Sequence, residues 1–332
     1  MSVSTAPMEQ ALEAALGASA GGVRNLKRLS GGANMETWAF DLAAGAEVEP
    51  LILRRSPAAA ENGASVGQFT LAVEAALVAL AGEHAVPTPR VRHILQSEDE
   101  LGSGYVMSRE PGEALPFRIL GDDRFEAARE RLAYQCGAAL GRIHAVPVEQ
   151  LPEGIPQFAL EQQLARSQDQ LDEYGNVSPV HQLALNWLRD NQPARRGPVL
   201  VHGDFRNGNL LVDESGLVSV LDWELAHVGS PVEDLGYLCG NVWRFGLSHK
   251  PVGGFGQYDE LLAGYRDVTG WAPAVAELHY WEVYCALNWG IVCLTMLEMY
   301  RSGADATLER AAVGRRVTES EIDLLLLLEG RL

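Results

Sequence analysis

The sequence predicts an α+β fold in two unlike lobes, a small β-rich first lobe and a larger helical second lobe. Three observations predict it. The first third of the chain carries short strand-like runs near residues 24–30, 35–42, 50–55, 91–95 and 104–108, around one helical segment. The breaker Arg109-Glu110-Pro111-Gly112 then interrupts the pattern. Beyond it the periodic segments are helical, except for a strand cluster over residues 199–220. The 332 residues, 47% of them hydrophobic, suffice for a sizeable core in each lobe. The expected division is 1–108 for the first lobe, 109–112 for the linker and 113–332 for the second lobe.

Taken in order, residues 8–17 form a short Ala/Leu helix. Gly31-Gly32 separates the first two strands, as a turn requires. Residues 66–82 carry helical spacing with Phe69, Val73, Ala76 and Leu80 on one face, and Gly82 is the stop signal. In the second lobe the helices are expected at 123–145, 158–173, 179–191, 232–243, 257–268, 275–301 and 304–330. Within the strand cluster, Leu210–Val212 and Leu217–Leu221 flank Asp213-Glu214-Ser215-Gly216, a hairpin turn.

Charged residues make up 21% of the chain, so wholesale disorder is not expected. The net charge of −18 argues against a nucleic-acid binder or an anionic-membrane binder. It suits either a cationic partner or simple solubility. The four cysteines form no CxxC pair, and Cys239, Cys285 and Cys293 fall in apolar segments. They read as buried thiols in a reducing compartment. The N-terminal stretch has no basic head and no long apolar run, so a cytoplasmic location is expected.

His202-Gly203-Asp204-Phe205-Arg206-Asn207-Gly208-Asn209, followed by Val220-Leu221-Asp222-Trp223-Glu224, is the most informative stretch. The hairpin between them folds Asn209 and Asp222 toward one pocket. Their amide and carboxylate oxygens suit Mg²⁺, whose remaining ligands are phosphates and water. Asp204, five residues before the asparagine, suits a base that takes a proton from a hydroxyl. Each has an ordinary alternative: Asp204 as a loop aspartate bound to backbone N–H groups, Asn209 as a turn asparagine beside Gly208. The combination favours phosphoryl transfer. Glu224 serves either a metal or a salt bridge. His202 closes the apolar run Val199–Val201 and reads as structural. Asp234 caps a helix or braces the catalytic loop. In the first lobe, Ser30, Gly31, Gly32 and Asn34 offer backbone N–H groups to phosphate, or simply close a hairpin. Leu51-Ile52-Leu53-Arg54-Arg55 ends a strand with two cations, one for the α/β-phosphates, and Glu74 on the next helix is its partner. Solvated arginines and a surface glutamate are the alternative. Met107, Ser108, Arg109 and Glu110 would meet the adenine through backbone groups. No GxxxxGK[ST] occurs, which sets aside a P-loop nucleotide site.

HGDFRNGN, VLDWE and PVEDL resemble the motif of the aminoglycoside phosphotransferase/choline kinase superfamily, with SGGAN, LILRR, VEAALVAL and YVMSREPG in the expected order. The resemblance covers nearly the whole chain and implies a protein-kinase-like fold. It implies Asp204 as catalytic base, Asn209 and Asp222 as Mg²⁺ ligands, Arg54 and Glu74 at the phosphate-lysine and helix-partner positions, and Met107 to Gly112 as the hinge. Two departures stand out: arginine replaces the usual lysine, at Arg54 or Arg55, and HGD stands where protein kinases have HRD, with no APE following. LDWELAHVGSPVEDLGYLC, WRFG, PVGGFG and GRRVTESEIDLL resemble the subgroup of kinase-like domains associated with acyl-CoA dehydrogenases.

The expected function is ATP- and Mg²⁺-dependent O-phosphotransfer to a small-molecule hydroxyl, with an aminoglycoside-like compound, an amino alcohol or a hydroxyacyl-CoA as acceptor. A pseudokinase that only binds nucleotide is the alternative, kept alive by the arginine; a metal-dependent hydrolase using Asp204, Asp222 and His202 is a third. Candidate acceptor-lining segments are Trp243–Gly246 and Val252–Gly256, with Tyr280, Trp281, Tyr284, Asn288 and Trp289 on one long helix; core packing is the favoured alternative for these aromatics. Arg244, His249 and Lys250 are the candidate basic patch. The final helix covers the lobe or forms a homodimer contact.

Overall fold

The computed structural model describes residues 5–19, 21–31, 35–44, 47–56, 69–175 and 178–332. The first lobe is built on α1 (Ala6–Ala15), β1 (Val23–Gly31), β2 (Glu36–Ala44), β3 (Glu47–Ser56), α2 (Leu71–Glu83), β4 (Val91–Ile94) and β5 (Ser103–Ser108). The strands form one antiparallel sheet in the order β1-β2-β3-β5-β4. Strand alternation assigns its two faces. Leu51 and Leu53 join Phe40, Val106 and Leu12 of α1 in the core on one face. The intervening Ile52 and Arg54 therefore turn to the other face, where α2 lies. Thr70 caps α2, its hydroxyl accepting from Val73 N–H at 3.4 Å.

The buried face of α2 is Leu71, Glu74, Ala75, Leu77, Val78 and Ala81, not the predicted set. Val73, Ala76 and Leu80 are half-buried, and Phe69 precedes the helix. The segment is apolar nearly all round, so periodicity carries no preference between faces. Packing against Tyr105 selects the face that contains Glu74.

The second lobe contains α3 (Pro116–Gly121), α4 (Glu126–His144), α5 (Leu160–Glu173), α6 (Pro179–Asp190), β6 (Val199–Val201), β7 (Leu210–Asp213), β8 (Gly216–Val220), β9 (His227–Gly229), α7 (Glu233–Cys239), α8 (Tyr258–Thr269), α9 (Val275–Ser302), α10 (Leu308–Gly314) and α11 (Val317–Leu328). α3 and β9 are short and escaped the sequence reading. The predicted helix 304–330 is two helices, with Thr307 capping the first through Arg310 N–H. The predicted helix 232–243 stops at Cys239 and continues as a single 3-10 turn. Most of the core lies around α4, α7 and α9.

Two small ladders carry the loops that matter. β6 pairs with β9, and β7 pairs with β8. The β7–β8 hairpin also touches the first lobe, since Val220 N–H donates to Pro87 O at 2.8 Å. Among the described residues, α9 is the one helix long and apolar enough to cross a membrane, and half of its most apolar stretch is buried inside the protein.

Candidate active site

The loop after β6 is fixed from beneath by a buried carboxylate. Asp234 is fully buried at the start of α7; its oxygens accept the N–H groups of His202 at 2.8 Å and Gly203 at 2.9 Å. His144 Nε2 lies 3.2 Å away on the same carboxylate. Burial alone would raise the Asp234 pKa; the hydrogen bonds and charge of His144 and the His202 N–H hold it below the usual value. Gly203 adopts φ +81°, and a Cβ there would sit 2.3 Å from Leu225 O, so only glycine lets the loop pass this close.

His202 spends both ring nitrogens on backbone groups. Its buried ring donates from Nε2 to Leu221 O at 3.1 Å and accepts the Asp204 N–H at Nδ1 over 3.2 Å. That pair of contacts fixes a neutral tautomer, and burial pushes its pKa down.

The Asp204 carboxylate is held at both oxygens. Oδ1 accepts from Arg206 Nε at 2.9 Å and from the Tyr237 hydroxyl at 2.9 Å. Oδ2 accepts from Asn209 Nδ2 at 2.6 Å, and the same amide nitrogen donates to Asp204 O at 3.0 Å. The Asn209 amide is thereby oriented, leaving its oxygen as the available donor atom. Leu221 N–H donates to Asn209 O at 2.8 Å, which ties the end of β8 to the loop. Asp222 follows in a left-handed conformation, φ +65°. A non-glycine residue held there stores strain of the kind found at functional sites.

Asn209 and Asp222 line one cavity of 210 Å³ between the lobes, together with Arg54, Glu74, Tyr105 and Met107. Arg54, not Arg55, faces it. The Arg54 Nη2 group contacts Asp222 Oδ1 at 3.0 Å and Glu224 Oε2 at 2.7 Å, and Nε lies 3.3 Å from Glu74 Oε1. That last contact is an ion pair without hydrogen-bond alignment. Arg55 turns to the opposite face, onto Glu36 at 2.9 Å and Leu101 O at 3.1 Å. Burial disfavours the Arg54 charge, but Glu74 and Asp222 more than offset this and raise its pKa. Glu74 is buried and its pKa is pushed up to about 7 by that burial, with Arg54 pulling the other way; Tyr105 OH donates to it at 3.1 Å. Glu224 is raised as well, by burial first and by Asp222 second. The contact that holds Glu224 is its 2.7 Å ion pair with Arg54.

The remaining predicted residues divide. Met107 enters the cavity. The Ser108 hydroxyl donates to Glu110 at 2.5 Å, and Arg109 binds Asp41 at 2.6 Å, so these side chains serve the linker. Ser30 and Gly31 end β1 opposite Thr37 and Glu36, and Thr37 lines the cavity. Gly32 and Asn34 lie outside the described residues.

Arg244 is a correction to the expected basic patch. It is buried, donating to Cys239 O at 2.8 Å with Glu282 3.6 Å away, and offers no charge to a surface ligand. Tyr280 and Trp281 are core, and Val252 and Phe255 are buried, with Gly253 O accepting from Asn207 Nδ2 at 3.1 Å. Segment 252–256 thus props the catalytic loop. Arg206, Tyr237 and His144 went unassigned from the sequence. Tyr237 had a usable signal: it sits three residues after Asp234, on the same helical face.

The side-chain oxygens of Asn209 and Asp222 thus share one cavity with the Arg54 guanidinium, two of whose nitrogens face carboxylates. Among the described residues, no group of three or more His, Cys, Asp and Glu side chains is placed to hold a metal alone. The donor pair of Asn209 and Asp222 fits Mg²⁺, which takes few protein ligands and completes its shell with phosphate and water.

The family model described as "Phosphotransferase enzyme family" matches residues 25–271. The chain belongs to this family. Its fold is protein-kinase-like, with a β-sheet first lobe and a helical second lobe. A Mus musculus protein named acyl-CoA dehydrogenase family member 10 is 26% identical over 310 residues, covering 88% of this chain and 26% of that protein. The chain thus spans about a quarter of that relative's length. An Escherichia coli aminoglycoside 3'-phosphotransferase is 25% identical over 172 residues, covering 49% of this chain and 60% of that protein. Among solved structures, a Ralstonia eutropha protein described as a "putative aminoglycoside phosphotransferase" superposes with a TM-score of 0.74 at 18% identity, over 98% of each chain. A more distant structure, of an aminoglycoside phosphotransferase with AMP-PNP and hygromycin B, gives 0.60 at 18% identity, over 97% of this chain and 99% of that one.

Proposed function

We propose that this chain transfers the γ-phosphoryl group of ATP to a hydroxyl of a small molecule, with Mg²⁺ as cofactor. The observation that carries the reading is the joint orientation of Asp204, Asn209 and Asp222 by one hydrogen-bonded loop and hairpin. Residues 1–108 serve as the nucleotide lobe, 109–112 as the hinge and 113–332 as the acceptor lobe. Asp204 aligns the acceptor hydroxyl and takes its proton. Tyr237 and Arg206 hold the carboxylate in place while leaving it a proton acceptor. Asn209 and Asp222 would hold Mg²⁺, which neutralises phosphate charge when bound. Arg54 adds positive charge on the phosphate side of the cavity, and Glu74 and Glu224 fix where it sits. Catalysis then rests on positioning and charge neutralisation, as suits phosphoryl transfer. Four buried, free cysteines support a reducing, cytoplasmic setting.

The test is ADP formation from Mg·ATP with a panel of hydroxylated acceptors. Asp204→Ala is expected to lower kcat by about 10²–10⁴-fold, the range for a positioned base, while AMP-PNP still binds. Unchanged turnover in that variant removes Asp204 from the mechanism. One observation favours a second reading, a nucleotide-binding pseudokinase: Arg54 already neutralises Asp222 and Glu224. That reading requires a thermal shift with Mg·AMP-PNP and no ADP with any acceptor.

A further inference from the structure

The catalytic segment is a wall with a cavity on each side. Gly208, Asn209, Asp222 and Trp223 face the 210 Å³ nucleotide cavity. Gly203, one residue before Asp204, and Leu225, one residue after Glu224, face a second cavity of 480 Å³. α5 and α9 close its far side. The volume is of the order that encloses a small-molecule ligand.

Its lining is polar and built. Gln163 and Glu233 are both more than nine-tenths buried, and Gln163 Nε2 donates to both Glu233 oxygens, at 3.0 and 3.1 Å. His227 is 4% exposed; Nδ1 faces Leu225 O at 2.9 Å and Nε2 faces Glu233 Oε1 at 3.3 Å. Both ring nitrogens thus face acceptors, the arrangement of an imidazolium. The Nε2 contact lacks hydrogen-bond alignment, so this buried donor is incompletely satisfied. Buried polar groups grouped around a void need a polar occupant to complete them.

Charge then selects the occupant. His227 opposes Glu233 inside, Arg166 and Asp169 both line the wall, and Arg206 pairs with Asp204 at 2.9 Å beyond Gly203, so the charges cancel. A polycationic amine requires an excess of carboxylates. The phosphates of a coenzyme A thioester require an excess of cations. A neutral, hydroxyl-rich molecule requires neither, and it can use Asn288 as well as the buried pair. Phe158 carries Arg166 over its ring at 3.9 Å and packs against His227, with ring centres 5.2 Å apart, so it holds two of these cationic side chains in the wall.

We infer that this second cavity is the acceptor site, and that the acceptor is a neutral polyhydroxylated compound of sugar or polyol type. The inference rests on the phosphotransferase reading above, and its chemistry is that reaction: the acceptor O–H loses its proton to Asp204, its oxygen bonds to the γ-phosphorus, and ADP leaves.

The experiment measures ADP release by the full chain with Mg·ATP and three probe sets: neutral sugars and polyols, kanamycin, and 3-hydroxybutyryl-CoA. AMP-PNP binding is measured in parallel. Turnover is expected with a neutral probe. Its kcat/KM should fall at least about tenfold in Asn288→Leu and in Arg166→Leu, because a hydroxyl-binding wall discriminates strongly once its polar partners are lost. The KM for ATP should not move. Leu308→Ala, at an exposed position on α10, is expected to change nothing. Turnover of kanamycin or the thioester alone, wall variants without effect on the active probe, or AMP-PNP binding without any turnover overturns the assignment. Failure to bind AMP-PNP overturns the phosphotransferase reading instead.

Discussion

Arg54 is the residue on which this site departs most from its resemblance, and its environment explains why arginine is tolerated. A lysine offers one compact charge; the guanidinium offers separated nitrogens. Here Nη2 takes Asp222 and Glu224 while Nε faces Glu74. One side chain therefore bridges the helix α2 partner and the segment after β8. Removing it leaves Glu74 buried without its cation. Arg54→Ala is expected to cost about 3 kcal/mol of stability, the scale for breaking a buried ion pair. Adding Glu74→Gln to that variant should recover part of the loss, and urea unfolding of the four proteins in this cycle measures it. Strict additivity of the two changes contradicts a direct coupling. Asp204, Asn209 and Asp222 were legible in the sequence because all three sit on adjacent local structure, a loop and a hairpin. Arg54 against Arg55 was not legible until the sheet assigned the faces of β3. Arg206 was missed because a hydrogen bond to Asp204 leaves no compositional trace; Tyr237 was legible only through its helical spacing from Asp234.

The elements show where pattern reading loses information. The hairpin β7–β8 was legible because its turn residues and apolar runs agree. The face of α2 was not, since AVEAALVALAG is apolar on most sides and only tertiary packing buries Glu74. The break after Gly314 vanished in a Leu-rich tail with no proline. β9 was too short to show a period, yet it positions His227 beside Glu233. That pair gives the element a pH signature. Burial lowers the His227 pKa, but Glu233 and the Leu225 carbonyl more than reverse this and raise it to about 9. A raised folded-state value means that folding favours the protonated ring. The stability it contributes is complete below about pH 6.5, the unfolded value, and is lost as pH climbs toward about 9. Wild-type stability in urea is expected to fall across that window. His227→Gln should be less stable at pH 6 and flatter between pH 6 and 9.5; parallel curves for the two proteins remove the pair from this role.

At the scale of the molecule, the two lobes meet over a cavity to which each contributes. The first brings Arg54 and Glu74 from its sheet and helix; the second brings Asn209 and Asp222 from its catalytic segment. Neither lobe has the whole constellation, which is why composition and charge said so little: a net charge of −18 describes the surface, not the cleft. The two-lobed α+β architecture was legible from the strand-rich first third and the Pro-Gly break. The 480 Å³ cavity was legible only in part: Tyr284 and Asn288 of α9 stood out as candidates, but α5, β9 and α7 converge on it from distant parts of the sequence. A crystal structure of the chain with Mg²⁺ and AMP-PNP tests the central claim most directly. The account predicts a metal bound by the side-chain oxygens of Asn209 and Asp222 at about 2.0–2.1 Å, with the γ-phosphate lying between Arg54 and Asp204. Nucleotide bound elsewhere, or a metal that ignores both of those oxygens, contradicts it.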